Sequence, residues 1–242
     1  DKRGNVVDWL NLCAAEIRKL WAEKRLPVVV GGTGFYVEAL LNGVTPIPET
    51  PIEVREQLQA RINQEGLENL YKELQQKDAE IAAKLNPNDK TRIVRALEVI
   101  AATGQKLSEW YKKPLIQKLP EAHFITVKIM PSLDVIATRC CLRLDKMVDE
   151  LGVLAEIEKL LNKGVDENMP AMKALGVPEL SLFIKGQMLL PEALDLAKLH
   201  TRQYAKRQRT WLKNKMSADI VFENVYEGQK DYLQQIFNVI KL

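Results

Sequence analysis

A short β-branched run that ends in a cluster of glycines constrains the fold of this chain more than any other feature. Residues 27–30 read Pro-Val-Val-Val, which predicts a strand, and residues 31–34 read Gly-Gly-Thr-Gly, which breaks it. Amphipathic helical periodicity precedes the run over residues 7–24 and resumes after it over residues 35–41. The order helix, strand, glycine turn, helix is typical of an α/β sheet whose functional edge lies at the carboxyl ends of its strands. We therefore predict an α/β fold with a candidate site at this turn.

A long stretch without strand signals interrupts the predicted sheet. Strand character returns only at residues 123–130 and again at residues 219–225. The periodicity before residue 123 is helical, and prolines lie near both edges of the helical stretch. We predict a helical insertion over residues 49–122, set into an α/β core formed by residues 1–48 and 123–242. Further helices are predicted over residues 52–62, 67–74, 79–85, 90–102, 133–150, 154–161, 190–215 and 230–240.

The composition is that of an ordinary globular protein and excludes several classes. The chain has 242 residues, of which 46% are hydrophobic and 28% are charged, so it can bury a core without disulfides. Its longest apolar runs are far shorter than the roughly 20 residues that a membrane helix needs. Cys13, Cys140 and Cys141 have no C-x-x-C spacing, which predicts a reducing compartment and neither a zinc cluster nor a disulfide framework. With only His123 and His200 present, a multi-His metal site is nearly excluded.

The glycine turn has a functional and a structural interpretation. Backbone N–H groups and the hydroxyl of Thr33 at a helix N-terminus could bind an anion or a polar substrate atom. Glycines at this place also serve only to turn the chain sharply. The sequence contains neither G-x-x-x-x-G-K-[ST] nor G-x-G-x-x-G, so the turn does not belong to either nucleotide-binding motif.

A strongly basic helix is the second candidate for function. The net charge is only +3, yet no Asp or Glu occurs from residue 196 to residue 218. The basic residues that helical spacing places on one face are Lys198, Arg202, Lys206, Arg209 and Lys213. A solvated surface is one interpretation, but the absence of acidic partners favours a polyanionic ligand. The phosphates of RNA and the diphosphate of a small substrate both fit.

A third candidate lies in the predicted insertion. Arg92 and Arg95 are one helical turn apart near a helix N-terminus, and Arg55 lies early in the same part of the chain. These arginines are either ordinary exposed side chains, paired with acids such as Asp89 or Glu98, or a clamp on a nucleic-acid backbone.

Four phrases, in this order and spacing, resemble the tRNA dimethylallyltransferase family. They are Val-Val-Gly-Gly-Thr-Gly-Phe-Tyr at 29–36, Asn-Pro-Asn-Asp-Lys-Thr-Arg-Ile-Val-Arg-Ala-Leu-Glu-Val at 86–99, Met-Lys-Ala-Leu-Gly at 172–176 and Thr-Arg-Gln-Tyr-Ala-Lys-Arg-Gln-Arg-Thr-Trp at 201–211. The resemblance implies a P-loop-kinase-like three-layer α/β core with a helical insertion. It also implies transfer of a dimethylallyl group from dimethylallyl diphosphate to N6 of adenosine 37 in tRNA, assisted by Mg²⁺.

The resemblance also implies roles for individual residues. Thr33 would lie in the reaction channel near the target adenine, and Arg202 would bind the diphosphate where charge develops, so both are implied to be catalytic. Lys206 and Arg207 would be supporting cations on the diphosphate. Gln203 and Gln208 are interpreted as structural residues and are assigned no part in the reaction. The residues implied to contact the anticodon stem-loop of tRNA are Thr33, Arg55, Thr91, Arg92, Ile93, Val94 and Arg95.

The chain departs from the family pattern at its beginning. Residues 1–26 match neither the phosphate loop, nor the aspartate that accepts the N6 proton, nor the family's Asp-Ser-x-Gln motif. We therefore expect that the segment with the phosphate loop, the magnesium-binding hydroxyl and the general base is missing. We expect this chain to hold no metal ligand and to be inactive alone, although its parent is a cytoplasmic, monomeric enzyme.

Two alternatives remain open from the sequence. One is an RNA-binding module without catalysis, which would bind tRNA with a steep salt dependence and leave it unmodified. The other is an adenylate isopentenyltransferase that acts on a free adenine nucleotide. Arg55, Arg92 and Arg95 in the insertion favour tRNA over a free nucleotide.

Overall fold

The computed structural model describes residues 4–167 and 169–240 and shows a mixed α/β protein that is mostly helical. The helices, in chain order, are α1 (Val6–Ala22), α2 (Gly34–Asn42), α3 (Ile52–Lys77), α4 (Ala79–Ala82), α5 (Lys90–Thr103), α6 (Leu107–Trp110), α7 (Leu133–Asp149), α8 (Val153–Asn162), a 3-10 helix (Pro170–Lys173), α9 (Val177–Ile184), α10 (Leu190–Lys215) and α11 (Lys230–Ile240). The strands are β1 (Val127–Ile129) and β2 (Ile220–Phe222). No helix in the described part of the chain is both long enough and apolar enough to cross a membrane.

The chain divides into two compact units. The first comprises residues 1–38 and 119–242, and the second comprises residues 39–118. The sequence placed the insertion at 49–122, and local contacts account for the difference at both ends. Val44 forms an antiparallel bridge with Ile116, which ties the segment after α2 to the second unit. Arg18 of α1 bonds Glu121, which ties the segment after residue 118 to the first unit.

The sheet of the first unit consists of two short parallel strands. Val127 pairs with Ile220, and Ile129 pairs with Phe222. Beside the first pair, the carboxylate of Asp219 accepts hydrogen bonds from the backbone N–H of Thr126 at 2.6 Å and from its hydroxyl at 2.8 Å. These bonds, the backbone one above all, hold the pKa of Asp219 below its ordinary value. Strands were expected at residues 123–130 and 219–225, and both are confirmed in shortened form.

The sequence predicted a strand at residues 27–30, and this prediction is wrong for the described structure. This segment is irregular, and the side chains of Val28 and Val30 are 75% and 89% exposed. A β-branched run becomes a strand only when a neighbour takes its backbone hydrogen bonds. Among the described residues β1 pairs with β2, and neither strand pairs with residues 27–30.

Helix α10 is the main structural element of the first unit. It begins with Pro191 in its first turn, and the carboxylate of Glu192 accepts a hydrogen bond from the N–H of Leu189. It packs against α7 and α9. The apolar core between α8, α9 and α10 includes Ile157, Leu180 and Ala193.

The second unit has an all-helical core around α3 and α5. Its fully buried side chains include Leu70, Leu74 and Ile93. The two helices predicted at 52–62 and 67–74 are continuous in α3 apart from a kink at Gly66, whose φ of 78° suits glycine.

Buried Asp78 joins two other helices of this unit. It is only 1% exposed, and its carboxylate accepts the N–H of Ile81 at 3.2 Å and that of Ser108 at 2.9 Å. One carboxylate therefore satisfies the amino ends of α4 and α6.

Candidate functional site

The glycine turn leads directly into α2. The carbonyl of Thr33 accepts the N–H of Tyr36 at 2.9 Å and that of Val37 at 3.3 Å, which are the first hydrogen bonds of the helix. The side chain of Thr33 is exposed. The predicted reaction-channel residue is thus available to a ligand at the N-terminus of a helix, where backbone dipoles favour negative charge.

Helix α10 packs closely on the glycine turn, and a side chain at Gly32 or Gly34 of the turn would collide with side chains of the helix. The amide of Gln208 donates a hydrogen bond to the carbonyl of Gly32 at 2.9 Å. A Cβ atom on Gly32 would lie 2.7 Å from that amide nitrogen, and one on Gly34 would lie 2.0 Å from the ring of Trp211. The glycines therefore serve close packing, which is the structural interpretation. The same contacts hold Thr33 against the basic helix.

Two cations on the predicted basic face fasten α10 to the rest of the first unit. Lys198 forms an ion pair with Asp145 of α7 at 2.5 Å, and this hydrogen bond raises the pKa of Lys198. The Nε of Arg209 donates to the carbonyl of Pro131 at 3.0 Å. These two side chains hold the helix in place and are less available to a polyanion than their spacing suggested.

The three predicted diphosphate-binding cations occupy two sides of α10. Arg202 and Lys206 are exposed, and neither makes an ion pair or side-chain hydrogen bond with any residue in the described ranges. They are four residues apart and share a face, whereas Arg207 lies about 140° around the helix from Arg202 at 3.6 residues per turn. The guanidinium carbon of Arg207 lies 5.7 Å from the ring centroid of Tyr204.

A shallow depression of about 410 Å³ lies along α10 beside part of this set. Lys206, Arg207 and Trp211 line it, and Trp211 is the residue that packs on Gly34. Trp211 therefore joins the part of α10 that carries Arg207 to the glycine turn, although no residue of the turn lines the depression. Arg202 is not a lining residue of this depression.

Gln208 and Trp211 are the residues that sequence reasoning missed as organisers of this site. Their three-residue spacing puts them on one side of α10, and that side faces a turn rich in glycine. Two large side chains at helical spacing, together with glycines elsewhere in the chain, are a weak but usable signal for close packing. Nothing in the sequence indicated which helix would fill the space.

The predicted tRNA-contacting residues of the second unit differ in their availability. Arg55 and Thr91 are exposed. The side chain of Arg92 is 73% exposed and lies 3.4 Å from Asp89 in an ion pair. Arg95 is partly buried and donates to the hydroxyl of Thr50 at 2.7 Å and to Glu98 at 3.2 Å.

Two members of the predicted tRNA set belong to the helical core instead. Ile93 is completely buried, and Val94 is partly buried against the same cluster. The side chain of Ile93 therefore stabilises the fold, so a contact of this residue with tRNA would have to use its backbone. Helical periodicity accounts for this, because Ile93 shares the buried side of α5 with Ala96 and Leu97, which follow at a spacing of three and four residues.

No metal centre is found in the part of the chain that the structure describes. Among residues 4–167 and 169–240, no group of three or more His, Cys, Asp or Glu side chains is placed to hold a metal ion.

Comparison with known proteins decides the family. A model described as IPP transferase matches residues 1–215. The chain belongs to the IPP transferase family. It is 41% identical over 201 residues to the tRNA dimethylallyltransferase of Bradyrhizobium sp. (strain ORS 278), a match that covers 83% of this chain and 64% of that relative. It is 37% identical over 228 residues to that of Zymomonas mobilis, with 91% of this chain and 72% of the relative covered.

Solved structures of the family have the same fold. The full-length tRNA isopentenylpyrophosphate transferase of Bacillus halodurans matches with a TM-score of 0.61 and 30% identity, covering 99% of this chain and 74% of that one. A eukaryotic dimethylallyltransferase acting on tRNA matches with a TM-score of 0.75 at 22% identity, covering 99% and 62%, and shows the fold alone. The chain spans 62 to 64% of the length of the Bradyrhizobium relatives.

Proposed function

We propose that the protein carrying this chain transfers the dimethylallyl group of dimethylallyl diphosphate to N6 of adenosine 37 in tRNA. The observation that carries the proposal is the family match over residues 1–215, which includes both the glycine turn and the basic helix packed on it. The C–O bond of the allyl diphosphate breaks, diphosphate leaves with the electron pair, and a C–N bond forms as N6 loses a proton. We assign no acceptor for that proton among the described residues.

The basic helix would stabilise the leaving diphosphate. Arg202 and Lys206 are exposed cations without partners in the described ranges, so they can bind an oxyanion without first breaking an ion pair. Arg207 precedes Gln208, which bonds the glycine turn, and would approach the diphosphate from that side of α10. Because Trp211 holds α10 on the glycine turn, a small displacement of the turn would also displace the cations of α10.

The helical unit would bind the anticodon stem-loop. Arg92 and Arg55 present exposed guanidinium groups, whereas Arg95 is engaged by Thr50 and Glu98. A free adenine nucleotide would have no use for cations on a separate compact unit, so this arrangement favours RNA as the acceptor. As part of the same proposal, residues 49–122 serve as the tRNA-binding insertion.

The architecture of the core, the metal ion, and the location and oligomeric state of the enzyme belong to the same proposal. The parallel pair of β1 and β2 supports a P-loop-kinase-like three-layer core. Among residues 4–167 and 169–240, no group of three or more His, Cys, Asp or Glu side chains fits the magnesium ion that the resemblance implies. We place the enzyme in the cytoplasm as a monomer.

Complementation tests the proposal with the parent protein that carries this chain. The full parent gene is expressed in bacteria that lack their own tRNA dimethylallyltransferase, and N6-dimethylallyladenosine in tRNA is measured by mass spectrometry. We expect the modified nucleoside to appear. Its absence from cells that accumulate the folded protein would refute the proposal, and binding of tRNA without modification would favour the non-catalytic module.

Two charge-reversal variants of an active preparation test whether Arg202 binds the diphosphate and Arg92 binds the tRNA. Arg202→Glu should raise KM for dimethylallyl diphosphate, and Arg92→Glu should raise KM for tRNA, with Lys159→Glu on α8 as the matched control. Equal effects of the first two changes on the same substrate would contradict the assignment. Residues 1–242 contain no phosphate loop, so we expect the isolated chain not to transfer label, and robust transfer would overturn that expectation.

A further inference from the structure

Phe35 is an exposed aromatic residue directly after the glycine turn. It is the second residue of α2, two positions after Thr33, and it is 56% exposed to solvent. A single apolar residue on a surface is ordinary in itself. The place of this ring beside the exposed side chain of Thr33 is what points to a role in binding.

The first turn of α2 is held on two sides, and Phe35 projects between them. On one side Gly34 faces α10 so closely that a Cβ atom would lie 2.0 Å from the ring of Trp211. On another side the ring of Tyr36 lies 5.2 Å from that of Trp9 on α1. Successive residues of a helix are about 100° apart, so the side chain of Phe35 leaves the helix between the directions of these two contacts. More than half of it remains in solvent there.

The ring of Phe35 has a neighbour that restricts its orientation. Its centroid lies 6.4 Å from that of Tyr36, with 57° between the two planes, and Tyr36 in turn rests on Trp9. Aromatic pairs at such distances and tilts attract each other. A ligand that covers Phe35 therefore immobilises little that is not already held, which keeps the entropic cost of binding low.

The proposed reaction requires an aromatic face of this kind. N6 of adenosine 37 can be reached only after the base has left its stack, and the lost stacking has to be offset. Aromatic side chains offset it by stacking on the extruded base, in a contact that needs no hydrogen bond. A base lying on Phe35 would sit beside the hydroxyl of Thr33, at the N-terminus of α2.

Two groups in the reaction have the chemistry to cover this ring, and the exposure of Phe35 favours the base. The dimethylallyl group is small and develops positive charge as its C–O bond breaks, so its site has to exclude water. A ring that is more than half exposed does not provide such a site. A purine covers the whole face of a phenyl ring and tolerates water around its edges.

We propose that Phe35 is a substrate-binding residue that stacks on the base of adenosine 37 and holds it beside Thr33. The inference rests on the proposed function, because it takes tRNA as the acceptor. It requires the planar face of the ring and not merely its apolar bulk. Phe35→Leu, which keeps the bulk and removes the face, is therefore the decisive change.

Binding of two anticodon stem-loops to the parent protein tests the contact. One stem-loop carries adenosine at position 37, and the other carries an abasic nucleotide there. Phe35→Leu should weaken binding of the first about tenfold, which corresponds to about 1.4 kcal/mol, and should leave binding of the second unchanged. Phe35→Trp, which keeps an aromatic face, should bind both like the parent. Tyr226→Leu is the matched control, since Tyr226 is 48% exposed elsewhere in the first unit, and it should change neither affinity.

Three results would overturn the proposal. The first is unchanged affinity for the adenosine stem-loop in Phe35→Leu. The second is equal weakening towards both stem-loops, particularly with a lowered melting temperature, which would mean that the ring supports the fold. The third is a higher KM for dimethylallyl diphosphate in Phe35→Leu with unchanged affinity for RNA, which would assign the ring to the prenyl group.

Failure of this inference is distinguishable from failure of the proposed function. If the parent protein modifies tRNA and Phe35→Leu does so with unchanged KM for tRNA, the stacking contact is wrong and the function stands. If the parent protein leaves tRNA unmodified in the complementation experiment, the proposed function is refuted, and the assignment of Phe35 falls with it.

Discussion

Replacing Gly34 with alanine should destabilise the first unit, although alanine is the better helix former. A Cβ at this position would lie 2.0 Å from the ring of Trp211, and ordinary carbon contacts are about 3.5 Å, so the ring or α10 must move by about 1.5 Å. Overpacking of this kind costs about 1 to 3 kcal/mol. The helix preference of alanine offsets up to about 1 kcal/mol, so the net loss should be about 1 to 2 kcal/mol.

The neighbouring glycine provides the matched control. A Cβ on Gly31 meets nothing within 4 Å, so Gly31→Ala should change the free energy of unfolding by less than about 0.5 kcal/mol. Urea unfolding followed by circular dichroism compares the two variants with the parent. In the background of Trp211→Ala the cost of Gly34→Ala should disappear, with a coupling energy above about 0.5 kcal/mol.

Equal unfolding midpoints for Gly31→Ala and Gly34→Ala would refute this reasoning. The reasoning would also be refuted if Gly34→Ala remained destabilising in the Trp211→Ala background. Either finding would mean that α10 does not rest on the glycine turn as described.

Three further predictions test other parts of the molecule. Asp78→Ala should destabilise the second unit by about 2 to 4 kcal/mol in urea unfolding, because it removes a helix cap and leaves a second buried N–H without an acceptor. Since the native pKa of Asp219 is lowered, its contribution to stability is present above the unfolded pKa of about 3.9 and is lost as the pH falls through the native value. The protection factor of the Thr126 amide against hydrogen exchange should therefore fall in acid, and Asp219→Asn should flatten that dependence. Ile93→Ala should cost about 2 to 5 kcal/mol of stability, whereas Arg92→Glu should leave the unfolding midpoint nearly unchanged and weaken tRNA binding in a filter assay with a smaller salt slope.

Helices were predictable from the sequence wherever caps and periodicity agreed. Asp89 accepts the N–H of Arg92 at the start of α5, and Gly104 ends that helix in the left-handed conformation, so both boundaries followed from local chemistry. Helix α9 was missed because it has only eight residues and carries Pro178 in its first turn. Strands were harder to place, since pairing with a distant segment decides whether a valine run becomes a strand.

The sequence identified the charged residues of the candidate site, but it did not show which residues they would contact. Spacing placed Lys198 and Arg209 on the face of Arg202, yet an aspartate on α7 and a carbonyl at Pro131 engage those two. Such partners are distant in sequence and leave no periodic trace.

The bonds from Lys128 to the carbonyls of Leu212 and Met216 have a consequence for the order of folding. The final carbonyls of a helix have no N–H partner within the helix. Here the ammonium of Lys128 on β1 donates hydrogen bonds to two carbonyls at this end of α10. Helix α10 can start to form locally from its own residues, but its last turn is completed only when the chain has closed a loop of more than eighty residues. Protection against hydrogen exchange should therefore spread along α10 from Leu190 towards Lys215, so that the end carrying Lys213 becomes ordered last.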